Sequence, residues 1–175
     1  VRSHAQQRIH KREALIDPLT GLYNRRWMQS TLPRIVDRCA RAGEPLALLM
    51  IDTDHFKSYN DEHGHLAGDR LLAFIARTIT GSFRSSDYAC RYGGDEFVVV
   101  LPQAGPAKAL KIADQVCDTV RKRPSRAGDS YLEYPSSVSV GIALLGTGMN
   151  LWQLLASADA ALYRAKTAGR GTVSY

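Results

Sequence analysis

Arg91-Tyr92-Gly93-Gly94-Asp95-Glu96-Phe97 runs directly into Val98-Val99-Val100-Leu101 and follows Tyr88-Ala89-Cys90. Two β-prone apolar segments flanking a Gly-Gly pair read as a hairpin with a tight turn. Asp95 and Glu96 stand on or just past its tip. Like charges projected side by side cost stability, and nothing in turn chemistry calls for them. A bound cation would remove that cost. Taken alone, the pair would be a solvated polar turn, but other acids and turns along the chain join it.

Upstream of the hairpin, residues 46 to 51 form a continuous apolar run of the kind buried on both faces of a sheet. Asp52-Thr53-Asp54 follows at once, so a carboxylate lies at the mouth of a core strand. Residues 55 to 62 read as a short helix stopped by His63-Gly64. From about Leu66 to Ile79 the helical period returns, with Leu71, Phe74, Ile75, Thr78 and Ile79 on one face. Gly81 closes that helix, and residues 84 to 87 make a loop into the hairpin. Earlier still, Asp17-Pro18-Leu19-Thr20-Gly21 carries turn signals. Asn24 caps a helix to about Ala40 with Met28, Leu32, Ile35, Val36 and Cys39 inward, ended by Gly43 and Pro45.

Downstream, residues 107 to 123 carry Leu110, Ala113, Val116, Cys117 and Val120 at helical spacing. Residues 121 to 128 read as a basic loop. A strand is expected over 136 to 144, with 131 to 134 a short partner broken off by Pro135. A last helix over 151 to 166 turns Leu151, Leu154, Leu155, Ala158, Ala161, Leu162 and Ala165 inward, and 172 to 175 close as a strand. The alternation predicts an α/β (α+β) domain with a central, mostly antiparallel, five-stranded sheet flanked by helices.

The 175 residues suffice for one domain with a sizeable core. Residues 1 to 14 are polar, with only a weak helical stripe, and read as a linker from an absent upstream region; residues 15 to 175 are the domain. The chain opens on Val with no charged-then-apolar leader, so a fragment of a longer protein is expected. Its longest apolar run is too short to cross a bilayer. That and the three widely spaced cysteines, Cys39, Cys90 and Cys117, suit a reducing, cytoplasmic setting, even for a full-length protein anchored at a membrane. The thiols read as small buried hydrophobes. A net charge of +6 permits an anionic partner. The cations are scattered, without the basic stripe interleaved with aromatics of a nucleic-acid binder, so no nucleic acid is expected.

If the strands ending at Asp52 and starting at Asp95 are neighbours, two carboxylates converge near backbone carbonyls. Such an all-oxygen site suits Mg²⁺, which binds through one or two carboxylates plus substrate phosphates. Two such acids beside a nucleotide match two-metal phosphoryl transfer. Strand alternation sends Asp54 the same way as Asp52, which leaves it as an alternative ligand.

The segments Asp52-Thr53-Asp54-His55-Phe56-Lys57-Ser58-Tyr59-Asn60-Asp61, Gly64-His65-Leu66-Ala67-Gly68-Asp69 and residues 91 to 97 together resemble the GGDEF family of diguanylate cyclases. Residues 17 to 26 resemble that family's opening segment, and Ser139-Val140-Gly141-Ile142-Ala143 and residues 158 to 166 its closing ones. The likeness spans roughly residues 15 to 175 in matching order. It implies the cyclase and polymerase-palm fold with the order βααββαβ, and an Mg²⁺-dependent condensation of two GTP into cyclic di-GMP with release of two pyrophosphates. Mn²⁺ would be a substitute ion. It assigns Asp52, the Thr53 carbonyl and Asp95 to the metal. Asp95 would also accept the proton of the attacking 3′-hydroxyl, with Glu96 as a second acid and Lys57 on the phosphate side. Asn60, His65 and Asp69 would bind the nucleotide, Asn60 and Asp69 facing guanine. Lys166 and Arg170 would lie near the triphosphate, and side-chain-free Gly93 and Gly94 would let the backbone approach it.

The resemblance further implies a two-fold homodimer, since one domain would hold one GTP, and an upstream sensory domain controlling the pairing. Arg84-Ser85-Ser86-Asp87 resembles the Arg-x-x-Asp site at which many such cyclases bind cyclic di-GMP as inhibitor. The rival for Arg84 and Asp87 is a surface ion pair of small energetic value. Gly171 departs from the family's usual Asn, which puts the local turn in question. A catalytically silent receptor for GTP or cyclic di-GMP is the alternative function.

Overall fold

A computed structural model of the chain describes residues 14–122 and 136–175. All but the last residue of the linker expected over 1 to 14, the partner strand over 131 to 134 and most of the basic loop over 121 to 128 lie outside the described residues.

The elements run β1 (Tyr23–Asn24), α1 (Arg25–Ala42), β2 (Leu46–Thr53), α2 (Phe56–His63), α3 (His65–Thr80), β3 (Tyr88–Arg91), β4 (Glu96–Pro102), α4 (Pro106–Arg121), β5 (Val138–Leu144), α5 (Leu151–Thr167) and β6 (Val173–Ser174). From β2 to β5 this is the expected βααββαβ order. The strands form one sheet in the order β1-β3-β4-β2-β5-β6. The β3–β4, β4–β2 and β2–β5 pairings are antiparallel, and the two outer pairings, β1–β3 and β5–β6, are parallel.

Six strands replace the expected five. The extra one is β1, two residues long, beside Cys90 and Arg91. Two residues show no alternation, so Tyr23 gives no strand signal and Asn24 reads only as a cap. Asn24 does cap, its Oδ1 accepting the N–H of Trp27 at 3.1 Å.

β2 is central because all eight of its residues are buried, so both faces must be covered. Ala47, Leu49 and Ile51 face a core completed by Tyr59 of α2, by Leu71, Leu72, Ile75 and Ile79 of α3, and by Ile112, Ala113 and Val116 of α4. Leu46, Leu48 and Met50 face the opposite core, closed by Met28, Leu32 and Val36 of α1 and Leu151, Leu154 and Leu162 of α5. Alternation along one strand therefore feeds two helical layers. The three cysteines are buried and free, as expected, and burial pushes Cys90 and Cys117 up to about 12. Among the described residues no helix is long and apolar enough to cross a membrane.

Candidate functional site

The turn after β3 is closed by its own backbone: the N–H groups of Tyr92 and Gly93 donate to the Glu96 carbonyl at 2.8 and 3.2 Å. A side chain clamps it as well. Arg91 donates through Nε and Nη2 to the Gly94 carbonyl at 3.1 and 2.7 Å. The same guanidinium pairs with Asp17 at 3.3 Å, and Asp17 in turn accepts from the Thr20 N–H and hydroxyl at 2.9 and 2.7 Å. Residues of the opening segment thus set the attitude of the acidic turn. A turn signal at 17 to 21 could not disclose a partner 74 residues away. A Cβ on Gly93 would stand 2.6 Å from Glu96 Oε2, so the bare backbone leaves room for that carboxylate.

Antiparallel register puts Asp52 of β2 directly opposite Glu96 of β4. Thr53 donates its N–H and hydroxyl to the Asp95 carbonyl at 3.2 and 3.4 Å. The acids predicted to converge therefore do so at the shared end of two central strands. Asp52 is only 8% exposed, and its pKa is raised from 3.8 to about 6, first by burial and further by the charges of Asp95 and Glu96. Lys166 opposes the shift, its Nζ lying 3.0 Å from Asp52 Oδ1.

The donors suit a hard cation: carboxylates and a carbonyl, all oxygen, with negative repulsion that Lys166 relieves only in part. Among the described residues no group of three or more His, Cys, Asp or Glu side chains is spaced to enclose a metal. The fit is thus to an ion held by few carboxylates and completed by carbonyl, water and substrate oxygens.

The raised pKa makes a stability prediction. Below 3.8 Asp52 is neutral in folded and unfolded chains alike and costs nothing. Between 3.8 and about 6 the unfolded chain ionises it while burial and repulsion keep it protonated in the fold, so stability falls across that window, by up to about 3 kcal/mol in full above about 6. In divalent-free buffer, Asp52→Asn should raise the melting temperature at pH 7 to 8, and the gain should vanish near pH 4. Unfolding curves of the two proteins across that range check it; a gain independent of pH contradicts it.

α2 and α3 form the adjoining wall. His55, left-handed at φ 54°, reverses the chain from the end of β2 into α2. Asn60 touches Gly68 of α3 so closely that a Cβ there would meet Asn60 Oδ1 at 1.8 Å. That oxygen is buried and, among the described residues, has no hydrogen-bond partner. A buried acceptor left unmet is costly, and a ligand N–H would satisfy it. Lys57, His65 and Asp69 are exposed along the same two helices, and Arg170 is exposed in the turn after α5.

Arg84 and Asp87 lie at the far end of β3 from the acidic turn. Arg84 is exposed, whereas the Asp87 side chain is wholly buried. Its carboxylate accepts the Arg84 N–H at 2.9 Å and pairs with Lys108 at 3.4 Å. Asp87 thus holds its loop to α4 rather than standing on the surface. Nothing in the sequence marked Lys108 as its partner.

Asp54, open as an alternative ligand, has both oxygens engaged by Ser137, Ser139 and the Gly171 N–H. Gly171 adopts φ 58°, the left-handed region that Gly and Asn both tolerate. The departure from Asn therefore leaves the turn intact.

The chain matches the family model described as "Diguanylate cyclase, GGDEF domain" over residues 14–172. It is similar to the response regulator PleD of Caulobacter vibrioides, 39% identical over 161 residues covering 91% of this chain and 36% of that protein. It is also similar to the diguanylate cyclase DosC of Escherichia coli, 36% identical across 95% of this chain and 36% of that protein. The chain thus spans about a third of the length of these relatives. Among solved structures, the coiled coil and GGDEF domain of DgcB from Caulobacter crescentus, in complex with c-di-GMP, superposes with a TM-score of 0.91 at 29% identity, covering 97% of this chain and 90% of that one.

Proposed function

The chain belongs to the GGDEF domain family of diguanylate cyclases, and from that membership we propose that it condenses two GTP into cyclic di-GMP with release of two pyrophosphates. The observation that carries this reading is the convergence of Asp52, Asp95 and Glu96 at the ends of β2 and β4, beside Lys166. Asp95 accepts the proton of the 3′-hydroxyl that attacks the α-phosphorus. Lys57, Lys166 and Arg170 bind the triphosphate and stabilise charge developing on its non-bridging oxygens. Asn60 and Asp69 take the guanine edge, the buried Asn60 oxygen meeting a guanine N–H and the Asp69 carboxylate discriminating against adenine. His65 hydrogen-bonds the nucleotide, and Gly93 and Gly94 let the backbone lie close to it. Mg²⁺, or Mn²⁺ in its place, held by Asp52, Asp95 and the Thr53 carbonyl, would supply Lewis-acid neutralisation of the phosphates.

One domain holds one GTP, so the product requires two copies facing each other across a two-fold axis. In the whole protein an upstream sensory part, joined through residues 1 to 14, would control that pairing, and the need for GTP places the domain in the cytoplasm. Feedback by cyclic di-GMP would use the exposed Arg84 guanidinium against a guanine edge or phosphate. Asp87, committed to its loop, would orient Arg84.

The test is chromatography of products after incubation with GTP and Mg²⁺ at several protein concentrations. Cyclic di-GMP and pyrophosphate are expected, with a rate per protein that rises with concentration. A concentration-independent rate contradicts the dimer, and nucleotide binding without pyrophosphate release points to a silent receptor.

A further inference from the structure

We propose that Asp54 is a positioning residue that pins the turn after α5 to the end of the sheet, so that Lys166 and Arg170 face the nucleotide; this rests on the cyclase reading of the site. Asp54 is 7% exposed. Its Oδ2 accepts from the Ser137 hydroxyl at 2.6 Å and the Gly171 N–H at 2.9 Å, and its Oδ1 accepts from the Ser139 hydroxyl at 2.7 Å. Gly171 N–H is shared with Ser139 Oγ at 3.2 Å. Among the described residues these hydrogen bonds to its side chain come from neutral groups, and together they occupy both carboxylate oxygens.

The turn they hold is conformationally costly. Gly169, Arg170 and Gly171 have φ of 120°, 65° and 58°, three consecutive residues in the left-handed half of backbone space, one of them not glycine. Such a run persists only where its surroundings over-determine it. Asp54, the residue after β2, supplies the bond from the sheet's end. Val140 N–H to Thr172 O at 2.9 Å and Arg170 N–H to Ala165 O at 3.2 Å fix its flanks, and the Arg121 guanidinium donates to the Gly171 carbonyl.

The consequence is a double attachment. Asp52 and Asp54, two residues apart on one strand end, grip the segment that carries the site's cations, Asp52 at Lys166 and Asp54 at Gly171. Only the first of these grips is exchanged when a cation or phosphate enters. Asp54 therefore keeps the segment in place while Lys166 changes partner.

The experiment measures Mg²⁺-dependent binding of a non-hydrolysable GTP analogue, GTP turnover and amide hydrogen exchange in Asp54→Ala, Asp54→Glu and Asp54→Asn. An amide can replace the carboxylate's shape, its oxygen accepting from Ser137 and Gly171 and its N–H₂ donating to Ser139. Asp54→Asn should therefore stay within about 3-fold of wild type in analogue affinity, whereas Asp54→Ala should lose about 10-fold, a loss falling more on KM than on kcat. Asp54→Glu pushes the carboxylate out by a methylene and should behave as the alanine variant does, which keeps the test open if Asp54→Ala does not fold. Exchange at residues 169 to 172 should rise in Ala and Glu but not in Asn. Arg170→Ala should weaken wild type severalfold and add little in the Asp54→Ala or Asp54→Glu background, because its partner is already misplaced. Unchanged exchange of the turn, or fully additive losses, overturns the proposal even if the enzyme makes cyclic di-GMP. Exchange and coupling as expected, with no product formed, uphold it and defeat the cyclase assignment instead. Wild type that binds no guanine nucleotide overturns both.

Discussion

Asp95→Ala should cut the formation of cyclic di-GMP from GTP by at least about 10²- to 10³-fold, within the range that one positioned general base contributes, while leaving the fold intact. The two halves of that expectation separate because Asp95 has two jobs carried by different atoms. Its carbonyl receives the Thr53 N–H and hydroxyl and so ties the turn to β2. Its side chain, half-buried at the tip, raises the pKa of Asp52 by charge. Alanine keeps the carbonyl and deletes only the carboxylate. Relieved of that repulsion, Asp52 should ionise more easily, so the variant should be no less stable than wild type at neutral pH. Product chromatography beside thermal unfolding checks both halves. A variant within about 10-fold of the wild-type rate would remove Asp95 from the chemistry, and one that fails to fold would show that the side chain, not the carbonyl, secures the turn.

The convergence of Asp52 and Asp95 was legible because both sit at the ends of strong strand signals. A run of six apolar residues before Asp52 and a Gly-Gly turn before Asp95 leave few alternatives for strand position, and neighbouring antiparallel strands then bring the acids together. Helices α1, α3 and α5 were equally readable, since Leu32, Ile75 and Leu162 recur at helical spacing with their neighbours and all are buried. What the sequence did not disclose is non-local and polar. The Arg91–Asp17 pair, the Asp87–Lys108 pair and the bonds of Asp54 to Ser137, Ser139 and Gly171 join residues far apart in the chain. None leaves a periodicity, because a hydrogen bond needs one residue on each side and no repeat. β1 escaped for the related reason that two residues are too few to alternate.

The same distinction changes how the carboxylates near β2 are read. By type and spacing Asp52 and Asp54 were interchangeable as ligands. Their surroundings separate them: Asp52 meets other acids and one ammonium, and Asp54 meets three neutral donors. A buried carboxylate already saturated with hydrogen bonds has little left to offer a cation, whereas one raised to about 6 by burial, and further by neighbouring acids, has much to gain from it.

Gly141→Val should destabilise the domain by at least about 3 kcal/mol, the upper end of what overpacking costs, and should disable nucleotide binding in whatever fraction stays folded. Gly141 lies on β5, opposite Met50 of the central strand. A Cβ there would stand 2.2 Å from both Ala158 O and Leu162 N of α5. Those are backbone atoms, so no rotamer change can make room, and the helix must lift away from the sheet. Its buried face, including Leu154, Ala158 and Leu162, would lose contact with Leu48 and Met50. The displacement also reaches the site, because α5 carries Lys166 to Asp52 and leads into the turn held by Asp54. Gly141→Ala should show the same defect at smaller amplitude, and Gly105→Ala, at a position where a Cβ meets nothing within 4 Å, should be far milder. Denaturant unfolding of the three variants, with titration of a GTP analogue into each, checks the chain of inference. If Gly141→Val folds with wild-type stability, the helix is not seated on the bare strand backbone as described, and the route by which β5 positions Lys166 fails with it.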